Sequence, residues 1–290
     1  MSTRKSLHIG LNRVDPDQYG GWDGALAGCI NDANDMKEIA ESRGFTTEQL
    51  IDEQATIIAV RDKLKQYATE LKDGDFFFLT YSGHGGQVPD VDGDENKDHY
   101  DETWCLYDTE LIDDSLYGAL CAFEKGVRIF IMSDSCHSET VSRAPGRMGR
   151  REDRRAFVDK QAGPNSKRAP IEFTEAEFNK NEERYAEQRT WWPPKAAPIN
   201  SPAKVVLISG CQDEQTSLDG PGNGAFTHAF LQVWKENGGD YQQSYEQLKT
   251  DVVKAVNNPE QVPGIYSYGV GVQGMLKETP FSAESQVAAV

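Results

Sequence analysis

The sequence predicts an α/β fold in which helices cover both faces of a mostly parallel central sheet. Three runs, "FFFLTYS", "VRIFIM" and "AKVVLIS", are almost wholly apolar, which is typical of strands buried on both faces. Segments with helical periodicity separate them. Because parallel strands need long crossover connections, this alternation favours a sheet whose strands are joined through helices.

The elements follow one another in a regular order. Residues 6–12, "SLHIGLN", predict a first strand, and "NDANDMKEIAESRG" predicts a helix with Asn31 or Asp32 as N-cap and Gly44 at its end. Residues 56–71 have the apolar spacing of a second helix. Further helices are predicted in "DDSLYGALCAFEKG", "EFTEAEFNKNEERYAEQRTWW", "GAFTHAFLQVWKENGG" and "SYEQLKTDVVKAVNN".

Composition excludes several functions. The chain has 290 residues and a net charge of -17, so neither nucleic acid nor an anionic membrane surface is an expected partner. It has no apolar run of membrane-spanning length, and "MSTRKSLHIG" lacks the apolar core of a secretory signal. We expect a cytoplasmic monomer, and the negative charge favours partners that carry positive charge.

The cysteines do not form a framework. They are odd in number and contain no CxxC pair, so neither structural disulfides nor a zinc site is expected. We expect reduced thiols, four of them inert. The five are Cys29, Cys105, Cys121, Cys136 and Cys211.

One stretch differs from the rest of the chain. Residues 143–168 carry nine Lys or Arg against three acidic residues, a local net charge of +6. This charge pattern predicts an exposed loop within a single domain of residues 1–290, and not part of the core.

Two predicted strands end in small, reactive sequences, "TYSGHGG" with His84 and "MSDSCHS" with Cys136. Parallel sheets bind ligands at the carboxyl ends of their strands. An imidazole there can activate a thiol, and we expect the amides of Gly85 and Cys136 to face a developing oxyanion. Either residue alone is more often a buried structural one. His137 is the weaker base, since neighbouring side chains on extended backbone face opposite sides.

Five motifs in series resemble a known family. They are "YSGHGGQ", the acidic "DVDGDENKDHYDETWCLYD", "SDSCHS", "ISGCQDEQTS" and "GNGAFTHAFL". Together they resemble the caspase-like cysteine peptidases of clan CD (peptidase C14), in their metacaspase and orthocaspase branch. The resemblance implies a three-layer caspase-like sandwich, with His84 and Cys136 as catalytic dyad. It divides the domain into a large-subunit-like part (1–141), an insertion (142–202), a small-subunit-like part (203–275) and a C-terminal tail (276–290).

The resemblance also implies a specificity pocket. Asp134 precedes Cys136 by two positions and should share its face of the strand. By resemblance Asp134, Ser82 and Asp32 line a pocket for Arg or Lys, because a buried cation needs a counter-charge. For Asp32 the alternative is the helix cap. Cleavage after Arg or Lys then suggests self-processing in the basic segment, with a solvated loop as the alternative. The candidates are Arg147, Arg150, Arg151, Arg154 and Arg155.

The acidic loop raises the question of calcium. It lacks the glycine spacing of an EF-hand. Asp101, Asp113 and Asp114 resemble the ligands of calcium-dependent relatives, but a further ligand expected after Cys136 is not visible. No cofactor is required by the predicted chemistry, and calcium activation stays an alternative.

Other functions are weighed against a peptidase. A caspase-like fold that has lost catalysis would serve as a regulatory or scaffold protein, which the intact His84 and Cys136 disfavour. A nucleotide- or phosphate-binding domain lacks its glycine motifs. A peptidase of this breadth needs restraint by a small molecule, an ion, a partner protein or its own insertion, and the family suggests a defence or stress-death effector.

Overall fold

A computed structural model describes residues 2–89, 100–136, 165–192, 201–212 and 215–282. These ranges contain nine strands and eight α-helices, and a short 3₁₀ turn at Asp52–Gln54. The strands are Arg4–Gly10 (β1), Thr46–Ile51 (β2), Phe76–Ser82 (β3), Gly85–Pro89 (β4), Tyr100–Cys105 (β5), Glu110–Ile112 (β6), Arg128–Asp134 (β7), Lys204–Ser209 (β8) and Gly264–Tyr268 (β9). The helices are Cys29–Ser42 (α1), Ile57–Glu70 (α2), Asp113–Cys121 (α3), Ile171–Lys180 (α4), Glu182–Gln188 (α5), Ala225–Glu236 (α6), Tyr245–Val256 (α7) and Val272–Met275 (α8).

Six strands form the central sheet, in the order β2-β1-β3-β7-β8-β9. All neighbours pair in parallel except β8 and β9, which are antiparallel. The strand order reverses between β1 and β3, since β2 lies on one side of β1 and the rest of the sheet on the other. Such a switch point is where open parallel sheets bind ligands. The mostly parallel central sheet of the predicted α/β sandwich is confirmed.

The two faces of the sheet pack against different helices. Alternate strand residues such as Leu79 and Ile131 join one core cluster with α2 and α3. Their neighbours, such as Phe78 and Phe130, join a second cluster with α1, α6 and α7. Every residue of β3 and β7 is buried, so the sheet is a rigid platform for whatever follows these strands.

The pairing register of β3 and β7 positions the two reactive motifs. Ser82, the last residue of β3, pairs with Asp134, the last residue of β7. His84 and Cys136 each follow two residues later. The register thus brings both side chains to the same edge of the sheet, at the same height above it.

A small antiparallel sheet, β4-β5-β6, begins at Gly85, directly after His84. Behind it lies a cluster of two buried carboxyl groups. The Thr103 hydroxyl donates a hydrogen bond to the Glu110 carboxyl group. The Thr109 hydroxyl donates one to Glu177 Oε1 at 2.5 Å. Burial, together with the charge of Glu177, holds the pKa of the Glu110 carboxyl well above its usual range.

The prediction of an exposed loop at residues 143–168 is wrong at the C-terminal end of that segment. Ser166, Lys167 and Arg168 are all buried. Beyond them α4 and α5 continue the insertion, and α4 packs on β4. The charge count misled because Lys167 meets buried carboxylates, so its ammonium group does not need solvent.

The predicted N-cap of α1 is also wrong. The helix begins at Cys29 after Gly28, which offers no side-chain cap, so Asn31 and Asp32 lie inside the first turn. The Asp32 carboxylate instead accepts hydrogen bonds from the Ser82 hydroxyl at 2.6 Å and the Gly224 amide at 3.0 Å. A carboxylate with these partners is not available to cap its own helix.

One further segment differs from prediction. The single helix expected after residue 170 is two helices, because Asn181 leaves the helical conformation (φ -125°). The first residues of the predicted C-terminal tail are packed, since Phe281 is 1% exposed and contacts Phe78 and Phe130. No helix in the described ranges has the length and apolar character needed to cross a membrane.

Replacing Glu110 with Gln should flatten the dependence of stability on pH. Because the folded pKa lies above the unfolded one, the free energy of unfolding is largest below the unfolded pKa. It falls as the pH rises toward the folded pKa. The neutral amide removes that loss, so the Tm at pH 8 should rise by about 2–4 °C while the Tm at pH 4 changes less. Thermal unfolding of wild type and Glu110→Gln across this range measures it.

Glu38→Gln is the matched control, because Glu38 is an exposed carboxylate on α1. A pH profile of Glu110→Gln that parallels the wild-type profile would show that Glu110 is not the buried titrating group.

Candidate active site

The structure places His84 and Cys136 at the carboxyl ends of the two central strands. Both are buried, at 6% and 0% exposure. Gly85 lies so close to Cys136 that a Cβ on this glycine would overlap the Cys136 carbonyl oxygen. The imidazole and the thiol therefore belong to one site, on neighbouring stretches of backbone.

A hydrogen bond of the His84 ring defines its tautomer. Its Nε2 lies 3.0 Å from the carbonyl oxygen of Gly24, which only accepts hydrogen bonds. Burial lowers the pKa of His84 to about 4, so the ring is neutral at pH 7 and its proton is on Nε2. Nδ1 is buried and has no hydrogen-bond partner among the described residues. The neutral ring thus keeps an unprotonated nitrogen, as a general base must.

The sulfur of Cys136 sits in a polar environment. It accepts a hydrogen bond from the Ser217 amide at 3.2 Å. Burial by itself raises the pKa of this thiol, but the hydrogen bond from Cys211 and the positive charge of Arg168 outweigh it, and the pKa falls below its usual value. The neighbouring Cys136 sulfur and burial raise the pKa of Cys211 well above its usual range. The Ser217 amide and the charge of Arg168 thus favour the thiolate form of Cys136.

A lysine side chain fills the pocket beside the dyad. The side chain of Lys167 is fully buried (0% exposed), and its Nζ lies 3.1 Å from carboxylate oxygens of both Asp32 and Asp134. It also donates to the Ser82 hydroxyl at 2.8 Å. An ammonium group has three donors, and here three acceptors meet them. The structure thus brings the three predicted pocket residues together around one basic side chain.

The charge state of this pocket follows from its contacts. Burial alone would lower the pKa of Lys167, but the carboxylates of Asp134 and Asp32 raise it well above its usual range. The lysine therefore stays charged, as a fully buried lysine does only when paired. Burial and the charge of Asp134 raise the pKa of Asp32.

Polar groups from the second half of the chain complete the pocket walls, and sequence reasoning missed them. Ser217 Oγ donates to Asp134 Oδ1 at 2.5 Å, and the Thr227 hydroxyl donates to Asp134 Oδ2 at 2.9 Å. Gly224 donates its amide to Asp32 and has no room for a side chain, since a Cβ would meet Asp134 and Lys167. These three residues lie in the motifs "QTS" and "GNGAFT", so the signal was present but not tied to the pocket.

The backbone around Lys167 is bound like an added strand. Its amide donates to the Ser217 carbonyl at 2.9 Å, and its carbonyl accepts from the Gly85 amide at 2.9 Å. On either side, the Asp219 amide donates to Asn165 and the Ala169 amide donates to Gly85. This is the mode in which extended peptides are held by main-chain hydrogen bonds, with a side chain seated in a pocket.

The three residues expected to bind calcium lie on β5 and at the start of α3. The Asp101 carboxylate forms an ion pair with Arg189 at 2.7 Å, and Asp113 and Asp114 lie in the first turn of α3. Within the described ranges no group of three or more His, Cys, Asp or Glu residues is arranged to hold a metal. Calcium binding stays a prediction.

The expected self-cleavage positions cannot be compared with the site in the same way. All lie between residues 137 and 164, outside the described residues. They are Arg147, Arg150, Arg151, Arg154 and Arg155.

Comparisons with known proteins agree on one fold family. The family model described as the caspase domain matches residues 13–270. The chain is 31% identical over 285 residues to Metacaspase-1 of Emericella nidulans, covering 86% of this chain and 66% of that protein. It is 31% identical over 278 residues to Metacaspase-1 of Cryptococcus neoformans, covering 84% of this chain and 58% of that protein. The chain thus spans about two thirds or less of these relatives.

Solved structures agree as well. A protein from Geobacter sulfurreducens matches with a TM-score of 0.83 and 40% identity, over 97% of this chain and 99% of that one. Caspase-1 from Spodoptera frugiperda matches with a TM-score of 0.52 at 13% identity, over 92% of this chain and 87% of that one. The second match shows a shared fold alone.

Gly85→Ala should destabilise the protein by about 1–3 kcal/mol, the usual cost of overpacking. The added methyl group would overlap a backbone oxygen of Cys136, which cannot move aside as a flexible side chain does. Gly274→Ala is the control, because Gly274 has nothing within 4 Å of its Cβ position. Chemical denaturation of both variants measures the difference, and equal stabilities would contradict the close approach of Gly85 to Cys136.

Proposed function

Because the chain belongs to the caspase-domain family of peptidases, we propose that it is a cysteine endopeptidase that cleaves proteins after Lys or Arg. Cys136 is the nucleophile of this proposal and His84 the general base. The observation that carries it is the buried Lys167 ammonium between Asp32 and Asp134, because its backbone carbonyl lies at the Gly85 amide beside Cys136.

Each step of the proposed reaction has a group to perform it. Nδ1 of His84 takes the proton of the Cys136 thiol, and the thiolate attacks the carbonyl carbon of the residue whose side chain fills the pocket. The Gly85 amide stabilises the oxyanion. Collapse of the tetrahedral intermediate breaks the peptide bond, and the imidazolium of His84 gives its proton to the leaving amine. Water then hydrolyses the thioester, with His84 again as base.

The charges of the pocket favour a basic substrate residue over an acidic one. Asp32 and Asp134 are two carboxylates in a buried site, and a third carboxylate from an Asp substrate would be repelled by both. A cation instead relieves the repulsion between them. The Ser82 hydroxyl supplies a third acceptor, so that each N–H of an ammonium group has a partner. Charge and hydrogen bonding therefore favour the same substrates.

Peptides that differ only at the residue before the cut should separate by at least about 100-fold in kcat/KM, since an unpaired buried charge typically costs 2–5 kcal/mol. Lys and Arg peptides should be cut, and Asp and Ala peptides hardly at all. Asp134→Asn should lower cleavage of the Lys peptide by about 100-fold, whereas Asp35→Asn, a carboxylate on α1 bound to Asn223, should leave it within about twofold.

The assay uses quenched-fluorescence peptides with wild type and with Lys167→Ala, which empties the pocket. Faster cleavage after Asp than after Lys would refute the specificity. No cleavage by either protein, with correct folding, would support the catalytically silent regulatory protein instead.

We propose further that self-processing occurs between Lys167 and Arg168. Lys167 occupies the pocket as a substrate residue would, and its carbonyl lies at the proposed oxyanion site. The segment that fills the pocket also blocks it, so its cleavage or release must precede the entry of another substrate. An activator would act on that release.

Mass spectrometry of the purified protein tests the site. Wild type should give a fragment that ends at Lys167 and another that begins at Arg168, while Lys167→Ala and Cys136→Ala should stay intact. Arg155→Ala, in the upstream basic stretch, is the control and should still be cut. Fragments from Cys136→Ala would mean that another protease makes them, and cuts at the upstream arginines of Lys167→Ala would place the site there.

A further inference from the structure

A second basic residue is buried directly after Lys167. Arg168 is only 6% exposed, although the pocket beside it is already filled by the side chain of Lys167. We propose that the site selects substrates with two consecutive basic residues, Lys or Arg before the cut and Arg after it. This inference rests on the proposed function and names its substrate class.

The backbone of Arg168 is held in one register. Gly85 bonds on both sides of it, because the Gly85 amide donates to Lys167 and the Gly85 carbonyl accepts from Ala169, at 2.9 Å each. The Arg168 amide donates to Ser166 Oγ at 3.1 Å. A substrate bound in this register has its first residue after the cut at the position of Arg168.

An anchored acceptor faces the guanidinium group. Arg168 Nη2 donates to the Gln215 carbonyl at 3.4 Å. The side chain of Gln215 fixes that carbonyl, since it accepts from the Val262 amide at 2.7 Å and donates to the Pro259 carbonyl at 3.1 Å. The acceptor is thus preorganised before any substrate arrives, so little ordering is required when a guanidinium binds it.

Charge points the same way. The Arg168 guanidinium shares the Gln215 carbonyl with the Cys211 thiol, which donates to that oxygen at 3.6 Å, and its positive charge lowers the pKa of Cys136. A substrate arginine at this position brings a counter-charge to the Cys136 thiolate. A neutral residue would leave the thiolate and the Gln215 carbonyl without that partner, and an acidic residue would repel the thiolate.

A peptide series separates this selection from the general preference for a basic residue. The peptides have the sequence Asn-Ser-Lys-X-Ala-Pro, with X as Arg, Lys, Ala or Glu, between a fluorophore and a quencher. The enzyme is the full chain carrying Lys167→Ala and Arg168→Ala. Its own segment keeps its main-chain hydrogen bonds but loses the side chain that anchors it in the pocket, and each peptide is used in large excess over the enzyme. The measured quantity is kcat/KM for each peptide.

We expect the Arg peptide to be cut about tenfold faster than the Ala peptide and the Glu peptide slowest, with Lys between Arg and Ala. Gln215→Ala, which frees the carbonyl from its anchors, should reduce the Arg to Ala ratio mainly through KM. Rates for the four peptides within twofold of one another would overturn the dibasic selection and leave the peptidase proposal standing. No cleavage of any peptide would refute the peptidase itself.

Discussion

The buried ammonium group of Lys167 is the interaction around which the site is organised. Asp32 and Asp134 lie on different elements and 102 residues apart in sequence, yet both turn their carboxylates into one dry pocket. Two such charges repel strongly at low dielectric unless a cation lies between them. Ser82 and Lys167 complete a closed set of donors and acceptors, and the surrounding amides and hydroxyls satisfy the remaining carboxylate oxygens.

The central sheet makes this arrangement possible. Parallel pairing of β3 with β7 ends both strands at the same level, so Ser82 and Asp134 face each other and the dyad residues follow at equal distance. The strands are buried on both faces, which leaves the side chains at their ends little freedom to move. Gly85 then turns the chain into the small antiparallel sheet, whose first amide points back at the site.

In the proposed function, the same contacts serve substrate recognition and restraint of the enzyme. A segment bound through Ser217 and Gly85 with Lys167 in the pocket uses the interactions that a substrate would use. The proposed specificity for basic residues and the observed occupancy of the pocket by Lys167 therefore follow from one charge pattern. The high effective concentration of a tethered segment makes restraint strong even if each contact is ordinary. The burial of Arg168 extends the occupied region to the residue that follows Lys167.

The sequence by itself determined the class of fold and the position of His84 and Cys136 at the ends of two central strands. The apolar runs of β3, β7 and β8 and the His84 and Cys136 motifs at strand ends are local signals, because burial on both faces and an abrupt polar end leave a mark within a few residues. Polar edge strands such as β2 lack this apolar sequence pattern. Only the tertiary structure decided what fills the pocket. Lys167 belongs to a basic stretch that solvation would favour, and its burial depends on carboxylates 135 and 33 positions away. No local pattern encodes such a contact, since its energy exists only once the sheet has brought the two carboxylates together.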